Sequence, residues 1–264
     1  MKYVMIFDHP YTLSAANNEP HHRSYSAAIA KQTINYSTAQ GHEVDVIDLN
    51  QDRFDPVMHA KDLSAWRTRT PINDQVDRYF ERLKAADEII FIFPIWWELM
   101  PAMTKGFIDK VFSKNRAVST HPRVVLEKNP VIRIFTIAGT PTFLYKLKYG
   151  NPIMKALATG TFKKIGLKKI KWHNFNAEDE SPQKRQADLA HIQKYLSWCL
   201  PRFIINIGGE WMKLLRQIIR RTLLATVILT APFAVCSADT TSSLGSTIHL
   251  STTPNAHDLG GIRT

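Results

Sequence analysis

Five short runs rich in β-branched and aromatic residues recur along the first 180 positions, with longer stretches of helical period between them. YVMIF (3–7), EVDVIDL (43–49), EIIFIF (88–93), VIRIFTI (131–137) and KKIKWHNF (168–175) read as strands. Ser24 to Gln40 stopping at Gly41, Ile72 to Ala86, Pro101 to Phe112, Pro152 to Lys164 and Ser181 to Trp198 read as helices, with proline in the first turn of the third and a Ser-Pro start to the last. The first, third and fourth runs are almost continuously apolar, as strands covered by helices on both faces must be. Five strand-helix units in series predict an α/β fold with a doubly wound, five-stranded parallel sheet. Ligands of such sheets bind beyond the carboxyl ends of the strands, where the strand order reverses. That rule singles out the loops after Phe7, Phe93 and Ile137.

Composition adds bounds. The chain has 264 residues, 44% hydrophobic and 22% charged, enough for a real core, and wholesale disorder is excluded. Cys199 and Cys236 form neither a disulfide framework nor a metal-ligand spacing, and no metal site is expected. The opening MKYVMIFDHP lacks the layout of an export leader, so the front of the chain is expected in the reducing cytoplasm. Net charge is +11, and Lys128 to Ala177 carries lysines and arginines but no acid. Such a block is either a solvated basic face or a field that draws phosphorylated cofactors, anionic lipid or nucleic acid. No interleaved aromatics or recognition-helix pattern accompany it, so nucleic acid is not an expected partner.

The first singled-out loop, DHPYTLSAANNEPHHRSYSAA, contains neither GxGxxG nor GxxxxGK[ST], which excludes a Rossmann dinucleotide turn and a P-loop. Its end, Arg23-Ser24-Tyr25-Ser26, places hydroxyls and N–H groups at a helix start, suited to a phosphate or to simple capping. His9, His21 and His22 lack further ligands at metal spacing. The second loop, FPIWWELMPAMTKGFIDKVF (93–112), puts Trp96 and Trp97 at a strand end, either as core or interface residues or as walls for a flat heterocycle whose edge meets the peptide groups from Ile95 to Glu98. In the third, TIAGTPTFLY, Ala138 and Gly139 permit close approach to the backbone and Tyr145 offers a phenol.

With His9-Pro10, GHEVDVIDLNQDRFDPV (41–57), FPIWWELMPAMTKGFIDKVF and TIAGTPTFLY in place, residues 1–198 resemble the flavodoxin-like NAD(P)H:quinone oxidoreductase family. The resemblance implies an NAD(P)H dehydrogenase (quinone) type of enzyme with non-covalent FAD or FMN. A hydride from NADH or NADPH would enter and two electrons would leave to a quinone or similar small electrophile. It also implies a homodimer. Carried over residue by residue, His9, Ser24, Tyr25 and Ser26 would meet the flavin phosphates, and Ile95, Trp96, Trp97 and Glu98 would edge the isoalloxazine. Thr136, Ile137, Ala138 and Gly139 would close its other edge, with Tyr145 as the catalytic residue near a flavin carbonyl. Asn151 stands where mammalian relatives have a histidine, and a neutral amide cannot relay a proton. The alternative implied by the same family is an ancillary flavoprotein of a membrane transporter such as a potassium efflux system.

The rest of the chain follows a different pattern. After a junction at 199–211, MKLLRQIIRRTLLATVILTAPFAVCSA (212–238) has the basic start, uncharged middle and small-residue end of a secretory signal peptide. Residues 239–264 are Ser/Thr-rich, read as disordered or extended, and contain NAHDLGG, which resembles the entry motif of secreted tyrosine-phosphatase-like proteins. The expectation is a second coding unit joined behind an oxidoreductase domain of residues 1–198. Membrane tethering through 212–238 is the second reading.

Overall fold

In the computed structural model, residues 1–68, 70–112, 126–177 and 180–196 are described. The expectations for 199–211, 212–238 and 239–264, the two cysteines among them, lie outside these residues.

The five strands form where the apolar runs place them: β1 Lys2–Phe7, β2 Glu43–Asp48, β3 Glu88–Pro94, β4 Val131–Ala138 and β5 Ile170–Asn176. All pair in parallel in the order β2-β1-β3-β4-β5. The order reverses between β1 and β3, so the ligand crevice belongs at the ends of those strands. α1 (Tyr25–Ala39), α3 (Asp74–Lys84) and α4 (Ala102–Val111) match the helical stretches read from sequence.

Elsewhere the structure departs from the sequence reading. A 3-10 turn, Leu13–Asn17, lies within the long first loop. Two unanticipated short helices are present, α2 (Ala60–Thr68) and α5 (Thr142–Leu147). The stretch expected as an ordinary helix at 152–164 is a π-helix over Met154–Phe162. The last expected helix is two: α6 (Pro182–Ala190), started by Pro182 with the Ser181 side chain accepting from the Lys184 N–H, and α7 (Gln193–Leu196).

Alternation along the strands divides the core into two faces. Val4, Ile6, Ile89, Phe91, Phe93, Ile132 and Ile134 pack against Val76, Tyr79 and Leu83 of α3, Phe107 and Val111 of α4, and Phe162 of the π-helix. Their neighbours Met5, Phe7, Ile90, Ile92, Phe135 and Ile137 pack against Ala27, Ile29 and Ala30 of α1, with Ile192 and Leu196. Two buried ion pairs supplement this packing. Arg133 of β4 binds Glu88 of β3 and donates to the carbonyls of Tyr195 and Leu196, fastening α7 to the sheet. Lys110 of α4 meets Asp62 of α2 at 3.1 Å, with both side chains buried.

Candidate functional site

Three loops meet at the carboxyl edge of the sheet, and two carboxylates tie them together. Asp8, directly after β1, accepts from both the backbone N–H and the hydroxyl of Thr104 in the first turn of α4, at 2.8 and 2.7 Å. The Asn50 amide donates to its other oxygen at 3.3 Å. Burial pushes the Asp8 carboxyl upward, opposed by the Thr104 and Asn50 hydrogen bonds and reinforced by nearby Asp48. Asp48, at the end of β2, accepts from the Leu13 N–H at 2.8 Å and the Gln51 N–H at 3.1 Å, anchoring the first loop.

Beyond β3, the Ile95 N–H donates to the Ile137 carbonyl at 2.8 Å, aligning the second and third loops. The chain then reverses in two residues: Trp96 and Leu99 exchange backbone hydrogen bonds of 3.0 and 3.1 Å, while Trp97 (φ 49°) and Glu98 (φ 64°) are both left-handed. Two positive φ values at the centre of a reversal are the mark of a type I′ turn, which Asn-Gly ordinarily fills. Here a tryptophan and a glutamate fill it, and the Trp97 side chain is 98% exposed. The turn forms one wall of a crevice of about 740 Å³, lined also by Ile95, Ala138, Gly139, Thr140, Pro141, Leu144, Lys148 and Tyr149.

Tyr145 is held behind that wall. It is fully buried and does not line the crevice. Its hydroxyl donates to the Glu98 carbonyl at 2.8 Å and accepts from the Ile153 N–H at 3.1 Å. Burial pushes its pKa up to about 12, so it stays protonated at any physiological pH. The phenol clasps the strained turn to the 150–153 loop, where Asn151 is also left-handed at φ 56°.

A second cavity, of about 730 Å³, opens at the same edge of the sheet on the α1 side. Ser24 and Tyr25 line it, together with Asn18, Arg23 and Lys31 from the first loop and α1 and Arg185 from α6. The Ser24 hydroxyl caps α1 by accepting from the Ala27 N–H at 3.3 Å. The Tyr25 hydroxyl is buried without a partner, and desolvation raises its pKa. Arg185 donates to the carbonyls of Ala177 and Glu180, at 3.0 and 2.5 Å, which fixes its guanidinium beside the cavity.

The other expected site residues line neither cavity. Ser26 is buried in α1. Thr136 is buried and bridges β4 to β5, donating to Asn174 Oδ1 at 2.7 Å and accepting from Trp172 Nε1 at 2.9 Å. Ile137 is buried beneath the third loop, and Trp96 forms the base of the type I′ turn. Burial lowers the pKa of His9, and its Nδ1 accepts from the Tyr11 N–H at 3.1 Å.

Lys148, Tyr149, Arg23 and Arg185 were not anticipated. Arg23 carried a sequence signal in its place at the start of α1, and Lys148 in the acid-free basic block 128–177; Tyr149 and Arg185 are surface-type residues whose position depends on tertiary packing. Among the described residues no cluster of His, Cys, Asp or Glu could hold a metal ion, and no helix is long and apolar enough to cross a membrane.

The chain is similar in sequence or in fold to several known proteins. A Haemophilus influenzae protein described as an uncharacterized NAD(P)H oxidoreductase is 26% identical over 197 residues, covering 72% of this chain and 92% of its own length. The structure of an NAD(P)H:quinone oxidoreductase from Methanothermobacter marburgensis superposes with a TM-score of 0.61 at 20% identity, over 74% of this chain and 93% of that one. An FMN-dependent NADH-azoreductase from Bacillus anthracis, in complex with FMN, superposes with a TM-score of 0.58 at 13% identity, over 74% and 97%. The family model for the flavodoxin-like fold matches residues 1–196, the whole of the sheet and its helices, and the chain therefore belongs to that family.

Proposed function

We propose that this chain is a flavin-dependent NAD(P)H oxidoreductase that delivers two electrons to a quinone or a similar small electrophile. The observation that carries this reading is the crevice between the type I′ turn and Ala138-Gly139. Its walls are peptide groups and small or flat side chains, which suit a planar heterocycle whose edge both donates and accepts. The NAD(P)H oxidoreductase description of the Haemophilus relative supports the same class. The reported relatives give no support to a transporter subunit.

When bound, a flavin supplies the redox chemistry by accepting a hydride from NADH or NADPH and passing two electrons onward. The residues of the chain bind and orient. Ile95, Trp97, Glu98, Ala138 and Gly139 wall the ring site; Trp96, Thr136 and Ile137 hold that wall from behind; His9, Ser24, Tyr25 and Ser26 frame the approach from the first loop. Tyr145 acts through Glu98 as a positioning residue. The second cavity supports FAD over FMN, because its volume, three cations and unpartnered Tyr25 hydroxyl fit an adenosine diphosphate arm that FMN lacks. A cytoplasmic homodimer completes the proposal.

The deciding experiment is to release the cofactor from purified protein, identify it by chromatography, and follow NADH and NADPH oxidation with menadione. Bound FAD and menadione-dependent turnover are expected. Protein that neither carries nor takes up flavin would overturn the proposal.

A further inference from the structure

We propose that the mouth of the crevice is a docking face for the surface of an anionic lipid bilayer, and that the quinone reduced there is one dissolved in that bilayer. The second half of this inference rests on the oxidoreductase reading above; the first rests on the surface alone.

Around the crevice the chain turns apolar side chains outward. Trp97 of the crevice wall is almost wholly exposed, and within α5 the only buried residue is Tyr145. Phe143 is 62% and Leu147 82% exposed, and residues four apart on a helix share one face. Tyr149, just beyond the helix, is exposed as well and lines the crevice with Trp97. Large apolar groups gathered round one opening mark a contact. Tryptophan and tyrosine favour the boundary between water and hydrocarbon, where the ring meets apolar matter while its N–H or O–H stays wet.

The charges round this face are of one sign. Lys146 and Lys148 alternate with the apolar residues, their ammonium groups 5.4 Å from the centre of the Trp172 ring and 5.2 Å from that of Tyr149. Lys155 brings its Nζ to 2.9 Å from where a Cβ on Gly150 would lie. No Asp or Glu occurs from residue 128 to 177, and Glu98, the one acid lining the crevice, has a carboxylate oxygen buried. Lysines interleaved with apolar groups match anionic headgroups above hydrocarbon. They do not match a second copy of the same face, because a two-fold contact through it would set these lysines against their own counterparts.

From such a face a quinone with an isoprenoid tail reaches the crevice without leaving the bilayer. It takes a hydride from NAD(P)H and a proton from water, two electrons and two protons in all once its second oxygen is protonated from solvent in exchange for the hydride's own proton balance at the ring site, and returns to the bilayer as the hydroquinone. NAD(P)H stays in water and enters while the face is free.

The test mixes full-length protein with vesicles of phosphatidylcholine alone or of phosphatidylcholine with phosphatidylglycerol. Flotation reads partitioning, and amide hydrogen exchange reads the segment in contact. Partitioning about tenfold or more in favour of the anionic vesicles is expected, weakened by salt, with exchange slowed across 142–149. Phe143→Ser with Leu147→Ser, and separately Lys146→Glu, should each lower partitioning by about tenfold and remove the slowing. Turnover of a long-tailed quinone held in the vesicles should fall in step, while turnover of menadione in solution is kept. Exchange across 142–149 that is unchanged in vesicle-bound wild type, or slowed equally in wild type and both variants, overturns the docking face, whatever residues 212–238 add to binding. Exchange already slow there without vesicles, and released in the double variant together with loss of a dimer in sedimentation, assigns the face to a second copy and overturns it as well. Protein that docks but oxidises no NAD(P)H supports the face and overturns the oxidoreductase reading.

Discussion

Trp97 and Glu98 sit where an L-residue pays for its Cβ, roughly 1–2 kcal/mol for each left-handed position. Strain of this kind persists only where the surroundings over-determine it, and here the Tyr145 hydroxyl and the Trp96–Leu99 bridge do so. Glu98→Gly should relieve it, raising stability by about 1 kcal/mol in denaturant melts. Tyr145→Phe should act in the opposite direction, because it leaves the Glu98 carbonyl and the Ile153 N–H short of a buried partner; a loss of about 1–3 kcal/mol and weaker flavin retention are expected. His173 contributes a pH dependence. Burial lowers its pKa to about 4, against a partial upward pull from Asp188 and further lowering by Lys184 and Lys146. The unfolded chain then binds the extra proton between pH 6.5 and 4, so the contribution is complete above 6.5 and is lost as pH falls through that window. In His173→Phe, urea midpoints measured from pH 7 to 4 should lose that share of their slope. At this scale the sequence disclosed the Trp-Trp turn and the small Ala138-Gly139 pair, because their chemistry is local. It did not disclose that the Tyr145 phenol is spent on two backbone groups, since those lie 47 and 8 residues away.

Elements were legible in proportion to how far hydrophobic period places them. The five strands and α1, α3 and α4 announce themselves through apolar runs and stripes, and the structure keeps each within a few residues. α2 could not be found that way, because its buried residue is Asp62, and an ion pair with Lys110 helps dock it. The π-helix over Met154–Phe162 was legible as a helix but not in its pitch, because both forms bury one apolar stripe. The same logic locates a weak point in α4. A Cβ built on Gly106 would fall 2.3 Å from the carbonyl oxygen of Pro56 and 2.4 Å from its Cα, both backbone atoms that cannot swing aside. Gly106→Ala must push the β2–α2 connection off α4, and should lower stability by about 1–3 kcal/mol despite alanine's better helix propensity. Because Thr104 on the same helix carries Asp8, flavin content should fall together with the Tm measured by calorimetry.

For the molecule as a whole, residues Met1–Leu200 form one compact unit, and both core clusters are built from residues between Tyr3 and Leu196. The two faces close only when α6 and α7 return to the sheet: Ile192 and Leu196 complete the packing over Phe7, Phe135 and Ile137, and Arg133 spends two of its donors on the carbonyls of Tyr195 and Leu196. Residues 212–238 carry a different pattern, a basic start and an uncharged run, with no share in this periodicity. A chain ending at Leu200 should therefore match the full-length protein in flavin content and melt within about 2 °C of it, the shift expected for less than 1 kcal/mol at this size. A chain ending at Ser181 should fail to hold flavin and unfold without a cooperative transition. It would leave the Arg133–Glu88 pair without the backbone acceptors of α7 and would open the α1 face of the core. Circular dichroism melts and absorbance of bound flavin on the three chains decide the matter: equal behaviour of the two truncations would refute the closing role of α6 and α7, and a large loss on removing only 201–264 would refute the self-sufficiency of the first unit.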